Sequence, residues 1–132
     1  MKKLLAAVAV TLVAGHASAA DWVNVGDDNR VDLDAVKKDG DQVTYQIRWD
    51  NPKDADEYQF TEVVVDCKTG ITRLPRYFNH KKTGPQGYQA TTGEDAKSAV
   101  PEDGTVVSVL NHQLCSGKPS GAAIEQILLG DN

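Results

Sequence analysis

The chain predicts an α+β fold: a small antiparallel β-sheet of hairpin-connected strands, packed against a C-terminal helix and tied by one disulfide. Three observations carry this. Between Trp22 and Phe78, short apolar-alternating segments are separated by turn residues, the pattern of strands joined by hairpins. From Thr105 the apolar residues Val106, Val107, Leu110 and Leu114 recur at helical spacing. Strands followed by a helix form an antiparallel α+β layout, with the helix covering one sheet face. The two cysteines, Cys67 and Cys115, stand at the end of the third main strand and the end of that helix.

The elements follow in order. Trp22-Val23-Asn24-Val25 reads as a short strand ended by Gly26-Asp27-Asp28-Asn29. Val31 to Ala35 alternates apolar residues with acids, as a strand with one wet face does. Asp39-Gly40 then signals a hairpin. In its second arm Val43, Tyr45, Ile47 and Trp49 point one way, and Gln42, Thr44, Gln46 and Arg48 the other. Asn51 to Glu57 is a polar loop opened by a turn dipeptide. Tyr58 to Cys67 is the third main strand, and its unbroken Val63-Val64-Val65 implies cover on both faces. After Lys68-Thr69-Gly70 the chain returns over Ile71 to Phe78, where Pro75 marks a sheet edge or a bulge.

Residues 79–93 form a long glycine- and proline-containing loop, with a short strand at Tyr88-Gln89-Ala90. A helix over about 105–115 is N-capped by Thr105, although Val106 to Val109 also suits a strand. Ser116 to Gly121 is a break, and Ala122 to Leu129 a short amphipathic helix or a frayed tail. Trp22 and Trp49 read as core anchors.

The first residues predict export. Lys2 and Lys3 precede an apolar run from Leu4 to Val13 and the small residues Ala17-Ser18-Ala19-Ala20. This is the make-up of a secretory signal peptide, with cleavage after Ala19 or Ala20. The run is shorter than the roughly 20 residues that span a bilayer, and no cysteine near the cut could accept a lipid. The expected product is residues 20–132, a single domain, periplasmic or secreted and without a stable membrane anchor. The full chain has a formal net charge of −5, and loss of Lys2 and Lys3 takes it to −7. Such acidity argues against nucleic acid as a partner. One cysteine pair in an exported protein reads as one disulfide, ahead of a free thiol or a metal pair. The chain-entropy model gives such a loop of about 50 residues roughly 4 kcal/mol.

Candidate chemistry is sparse. His80 and His112 are the histidines of the expected mature chain, and neither stands in a nucleophile frame such as G-x-S-x-G. A thiol–imidazole pair of Cys115 and His112 is the alternative to a disulfide cysteine beside an exposed histidine. Two acidic clusters, Asp27 to Asp34 and Asp50 to Glu57, could suggest calcium, but the EF-hand spacing is missing. Gly84-Pro85-Gln86-Gly87 lacks the lysine and frame of a phosphate loop. The expectation is therefore no catalytic residues, no metal and no cofactor. Arg73, Arg76, His80, Lys81 and Lys82 form the one basic concentration, with Tyr77, Phe78 and Tyr88 nearby. They read either as a patch for an acidic protein segment or sulfated glycan, or as charges guarding an edge strand. A homodimer through an edge near Pro75 stays open.

Several landmarks together resemble the surface-adhesin protein E family of proteobacteria. They are Trp22 after the leader, Arg48-Trp49 closing a strand, Val65-Asp66-Cys67, Ile71-Thr72-Arg73, Val100-Pro101-Glu102-Asp103-Gly104-Thr105 and Leu114-Cys115. The resemblance spans Trp22 to Cys115. It implies export, a small antiparallel sheet backed by a helix, bonded cysteines and, for the adhesin branch, binding to host matrix and plasma proteins. That branch is lipid-anchored, and its Pro–Gly–Ser turn is a looser Pro-Glu-Asp-Gly-Thr here. The expected function is thus an exported, non-enzymatic binding protein for a host or envelope protein. The alternative is an inhibitor or accessory factor of another envelope protein, such as a periplasmic lysozyme inhibitor. A small hydrolase ranks behind both.

Overall fold

The structure, a computed structural model, describes residues 21–84, 86–91, 96–117 and 119–130. The leader at 1–19, and Pro85 and Gly93 of the long loop, lie outside the described residues. The strands are β1 (Trp22–Gly26), β2 (Asn29–Asp32), β3 (Lys37–Asp39), β4 (Gln42–Asp50), β5 (Tyr58–Asp66), β6 (Thr72–Arg73), β7 (Arg76–His80) and β8 (Gly87–Ala90). Two helices follow, α1 (Val106–Cys115) and α2 (Gly121–Leu129). All strands join one antiparallel sheet in the order β1-β2-β4-β5-β7-β8, with β3 also on β4 and β6 also on β5. The α+β class predicted from the sequence is the fold observed, and Val106 to Cys115 is helix.

Turn chemistry sets the register. Between β1 and β2, Asp27 and Asp28 both have positive φ, 52° and 62°. A two-residue hairpin turn with both central residues left-handed matches the sheet twist, and aspartate tolerates that conformation better than most residues. The first acidic cluster therefore opens as a hairpin turn. Gly40 (φ +59°) supplies the left-handed residue of the β3–β4 turn, where Asp39 pairs Gln42.

The segment read as one strand over Val31 to Ala35 is a strand only to Asp32. Leu33–Ala35 is a 3₁₀ turn, and the Asp32 carboxylate accepts the Asp34 N–H at 3.0 Å. Aspartate competes with the ladder by bonding its own nearby backbone, so the hairpin arm is split. Both pieces still pair with β4. Leu33, which opens the turn, and Val36, which follows it, pack against the core.

Pro75 interrupts the return strand rather than marking an edge. Val64 pairs Arg73 in β6, while Thr61 pairs Tyr77 in β7, a slip of one residue across Leu74-Pro75. Proline lacks the N–H a continuous ladder needs, and an extra residue at a bulge accommodates it. β8 lies outside β7, so the exposed edge belongs to β8.

The core lies between one sheet face and the helices. Val23, Val25, Val31, Val43, Tyr45, Val63 and Val65 face Leu110, Leu114 and Ile124, all nearly inaccessible. Val64, on the opposite face, is buried as well. Neither tryptophan joins this core; both are half-buried and stand apart from it. Alternation put Trp49 on the inward face correctly, but it sits near the end of β4, beyond the packed cluster.

Three ties hold the helices down. Thr105 caps α1, accepting the Ser108 N–H. Cys67 and Cys115 are bonded, joining the residue after β5 to the end of α1. A polar relay also crosses the core. The Tyr45 hydroxyl donates to Asn111 Oδ1 at 2.8 Å, Asn111 Nδ2 donates to Thr72 Oγ1 at 2.9 Å, and Thr72 Oγ1 donates to the Gly70 carbonyl at 3.0 Å. Buried polar groups are tolerable when each finds a partner. Burial pushes the Tyr45 phenol far above its ordinary pKa, so it stays a neutral donor. Gly121 lets α2 approach β1: a Cβ there would stand 2.9 Å from Val23 Cγ2.

Candidate binding face of the sheet

Strand alternation sends the partners of the core residues to the other face of the sheet, away from both helices. Register then lines them up. Asn24 pairs Arg30, Arg30 pairs Arg48, Arg48 pairs Phe60, Phe60 pairs Phe78 and Phe78 pairs Tyr88. One row thus crosses all six strands of the main path. A neighbouring row runs Asp50, Tyr58, His80. The face is built of rings and guanidinium groups.

The rings touch at the geometries aromatic pairs prefer. Tyr58 meets Phe60 edge-on with centroids 5.7 Å apart, and His80 stacks on Tyr58 at 4.6 Å. Phe78 lies 6.2 Å from Phe60 and 5.2 Å from Tyr88. Arg48 covers Tyr58 at 4.4 Å and Phe60 at 5.4 Å; Arg76 covers Tyr88 at 5.2 Å; Arg30 covers Trp22 at 5.5 Å. Such contacts are worth about 0.5–1 kcal/mol each at exposed sites. Tyr88 keeps 57 % of its surface in solvent.

Carboxylates fix the guanidinium groups. Arg48 Nε and Nη2 reach Asp50 Oδ1 at 2.9 and 2.8 Å, and Arg30 Nη2 reaches Asp50 Oδ2 at 2.8 Å. Partial burial works to raise the Asp50 carboxyl. The hydrogen bonds and charges of Arg48 and Arg30 outweigh it and hold the pKa below the usual value. Arg76 donates twice to Glu62 Oε2, at 3.1 and 3.0 Å, which raises the Arg76 pKa further.

The basic residues singled out in the sequence are split by this geometry. Arg76 and His80 belong to the aromatic face. Lys81 lies 3.8 Å from Glu57 and Lys82 3.7 Å from Asp56, so part of the second acidic cluster neutralises the lysines. Arg73 is exposed on β6. The five therefore do not form one unbalanced positive patch. Tyr77 points to the opposite face, where its hydroxyl donates to Gln89. Arg30, Arg48, Tyr58 and Phe60 were not foreseen as site residues. Their signal was aromatics two apart at Tyr58/Phe60, which a return strand carrying Arg76, Phe78 and His80 would face.

An open cleft of about 520 Å³ lies at the other end, where Val100, Pro101, Ser108 and His112 face the turn at Lys68-Thr69 and the disulfide. His112 is exposed, and Cys115 is bonded to Cys67, so no thiol is available to the imidazole. Among the described residues, no group of three or more His, Cys, Asp or Glu is placed to hold a metal, and no helix is long and apolar enough to cross a membrane. No family model, curated protein or solved structure matches the chain. The resemblance to the protein E family rests on the sequence landmarks.

Proposed function

We propose that this chain is an exported, non-enzymatic binding protein of the periplasm or the extracellular space, with a surface-adhesin protein E-like fold, that grips a protein partner through the open face of its sheet. The row Arg30–Arg48–Phe60–Phe78–Tyr88 carries the reading. Aromatic residues and arginine dominate the binding energy of protein interfaces. Here they are held in place by carboxylates and by one another, so little side-chain freedom is lost on binding. The tilted rings suit an irregular protein surface better than a flat stacking platform. The disulfide fits an oxidising compartment, as does the leader-like segment.

Affinity capture from a cell-envelope extract tests this. The mature protein should retain one stoichiometric partner. The double substitution Phe78→Ser, Tyr88→Ser should release it, while Ile127→Ser, an exposed change on α2, should not. Equal capture by the unsubstituted protein and both variants would refute the face. Mass spectrometry of the fractionated protein should find a mature N-terminus at Ala20 or Asp21 outside the cytoplasm.

A further inference from the structure

We infer that β8 is a docking edge to which an extended segment of a partner protein adds as a further strand, with alternate large apolar side chains seated against Tyr88 and Phe78. The inference rests on the proposed use of the open face and adds where on it the partner's backbone runs.

The two ends of the sheet differ. At β1 the outer edge is engaged from within the molecule: α2 packs against the strand, and Glu125 Oε1 accepts the Asn24 N–H at 3.3 Å. At β8 no described strand or helix lies along the outer edge. Thr91 N–H donates to the Pro75 carbonyl at 3.2 Å, which fixes the phase of the β7–β8 ladder. Antiparallel pairs alternate between bonded and non-bonded, so Phe78–Tyr88 and Arg76–Ala90 are non-bonded pairs. The N–H and C=O groups of Tyr88 and Ala90 consequently point outward, and no described residue bonds them. Natural edges are defended by short length, lysine, proline or inward charge. Gly87-Tyr88-Gln89-Ala90 is short, at four residues, but carries no lysine, proline or charge.

The side chains at this edge complete the site. Tyr88 is the most exposed ring of the face and stands at its rim. A strand added beyond β8 places every second side chain on that face, next to Tyr88 and within reach of Phe78. Backbone bonds would supply affinity and the rings selectivity, as in other strand-addition complexes. A second copy of this chain is the poorer occupant. Four residues make a strip about 14 Å long and about 10 Å deep, roughly 140 Å², a small part of the roughly 800 Å² per partner that a stable dimer buries. A partner's extended segment can follow the edge and continue over the aromatic row.

Selection of a random dodecapeptide phage library on the disulfide-bonded mature protein tests the inference. Enriched peptides should alternate large apolar residues and slow hydrogen exchange at the Tyr88 and Ala90 amides. Ala90→Pro removes only an outward donor and leaves the β7–β8 ladder bonds intact; it should weaken the peptides about tenfold or more. Methylating alternate amides of a selected peptide should do the same in one of the two phases only, a readout that does not depend on how the proline variant folds. No enrichment, affinity indifferent to both changes, or self-association at the same edge in place of peptide binding would overturn the inference. The two readings fail separately. An envelope partner released by Phe78→Ser, Tyr88→Ser but held by Ala90→Pro would leave the face and remove the edge.

Discussion

Removing one oxygen atom from the core should measure how far the polar relay fastens α1 to the sheet. Tyr45 is 1 % exposed, and its hydroxyl donates to Asn111 Oδ1. In Tyr45→Phe the ring keeps its packing and the Asn111 carbonyl oxygen loses its donor. Leaving a buried acceptor unsatisfied costs about 1–3 kcal/mol. Asn111 borders the open cleft and is 7 % exposed, so water can recover part of this, and the expected loss is about 1–2 kcal/mol. For a domain of this size that lowers Tm by roughly 4–8 °C. Urea unfolding with the disulfide intact should show the lower midpoint with an unchanged slope. In an Asn111→Leu background the acceptor is already gone, so the same tyrosine change should cost much less. A loss under about 0.5 kcal/mol, or an equal loss in both backgrounds, would refute the relay as a working link.

Replacing both cysteines with alanine should destabilise the domain by roughly 4 kcal/mol on the chain-entropy model, given a separation of 48 residues; chemical denaturation of the double variant checks this, and a loss near zero would contradict it. Asp50 should impart an acid dependence. Its folded pKa is depressed, so its contribution is full above the unfolded value near 4 and disappears as pH falls through the lower folded value. Asp50→Asn should therefore melt below the wild type at neutral pH, and the two curves should draw together as the pH falls below the unfolded carboxyl value near 4. A gap that persists unchanged to pH 2 would sink the assignment.

The fold was legible where local chemistry and tertiary packing agree. Alternation over Val43 to Trp49 gave the inward face of β4, Thr105 marked the start of α1, and Cys67 with Cys115 gave the staple. The reading failed where a side chain competes with its own backbone. Asp32 looked like the wet half of an alternating strand, yet it caps a turn and ends the strand. Pro75 was rightly flagged as a disturbance, but only the pairing on both sides shows a bulge inside the sheet. The binding face was the least legible part. Each of its strands reads as ordinary polar or aromatic alternation, and the row from Arg30 to Tyr88 exists only once four strand registers are set. The basic run at Lys81-Lys82 drew attention because charge is visible in sequence; the carboxylates that quench it are contributed by a loop more than twenty residues earlier.

Chemical-shift mapping of the captured partner on isotope-labelled mature protein tests the central claim most directly. The account predicts that the largest changes fall on Arg48, Phe60, Phe78 and Tyr88, with α1 and α2 little affected. A footprint centred on the cleft around Val100, Ser108 and His112, with the aromatic row unperturbed, would contradict it.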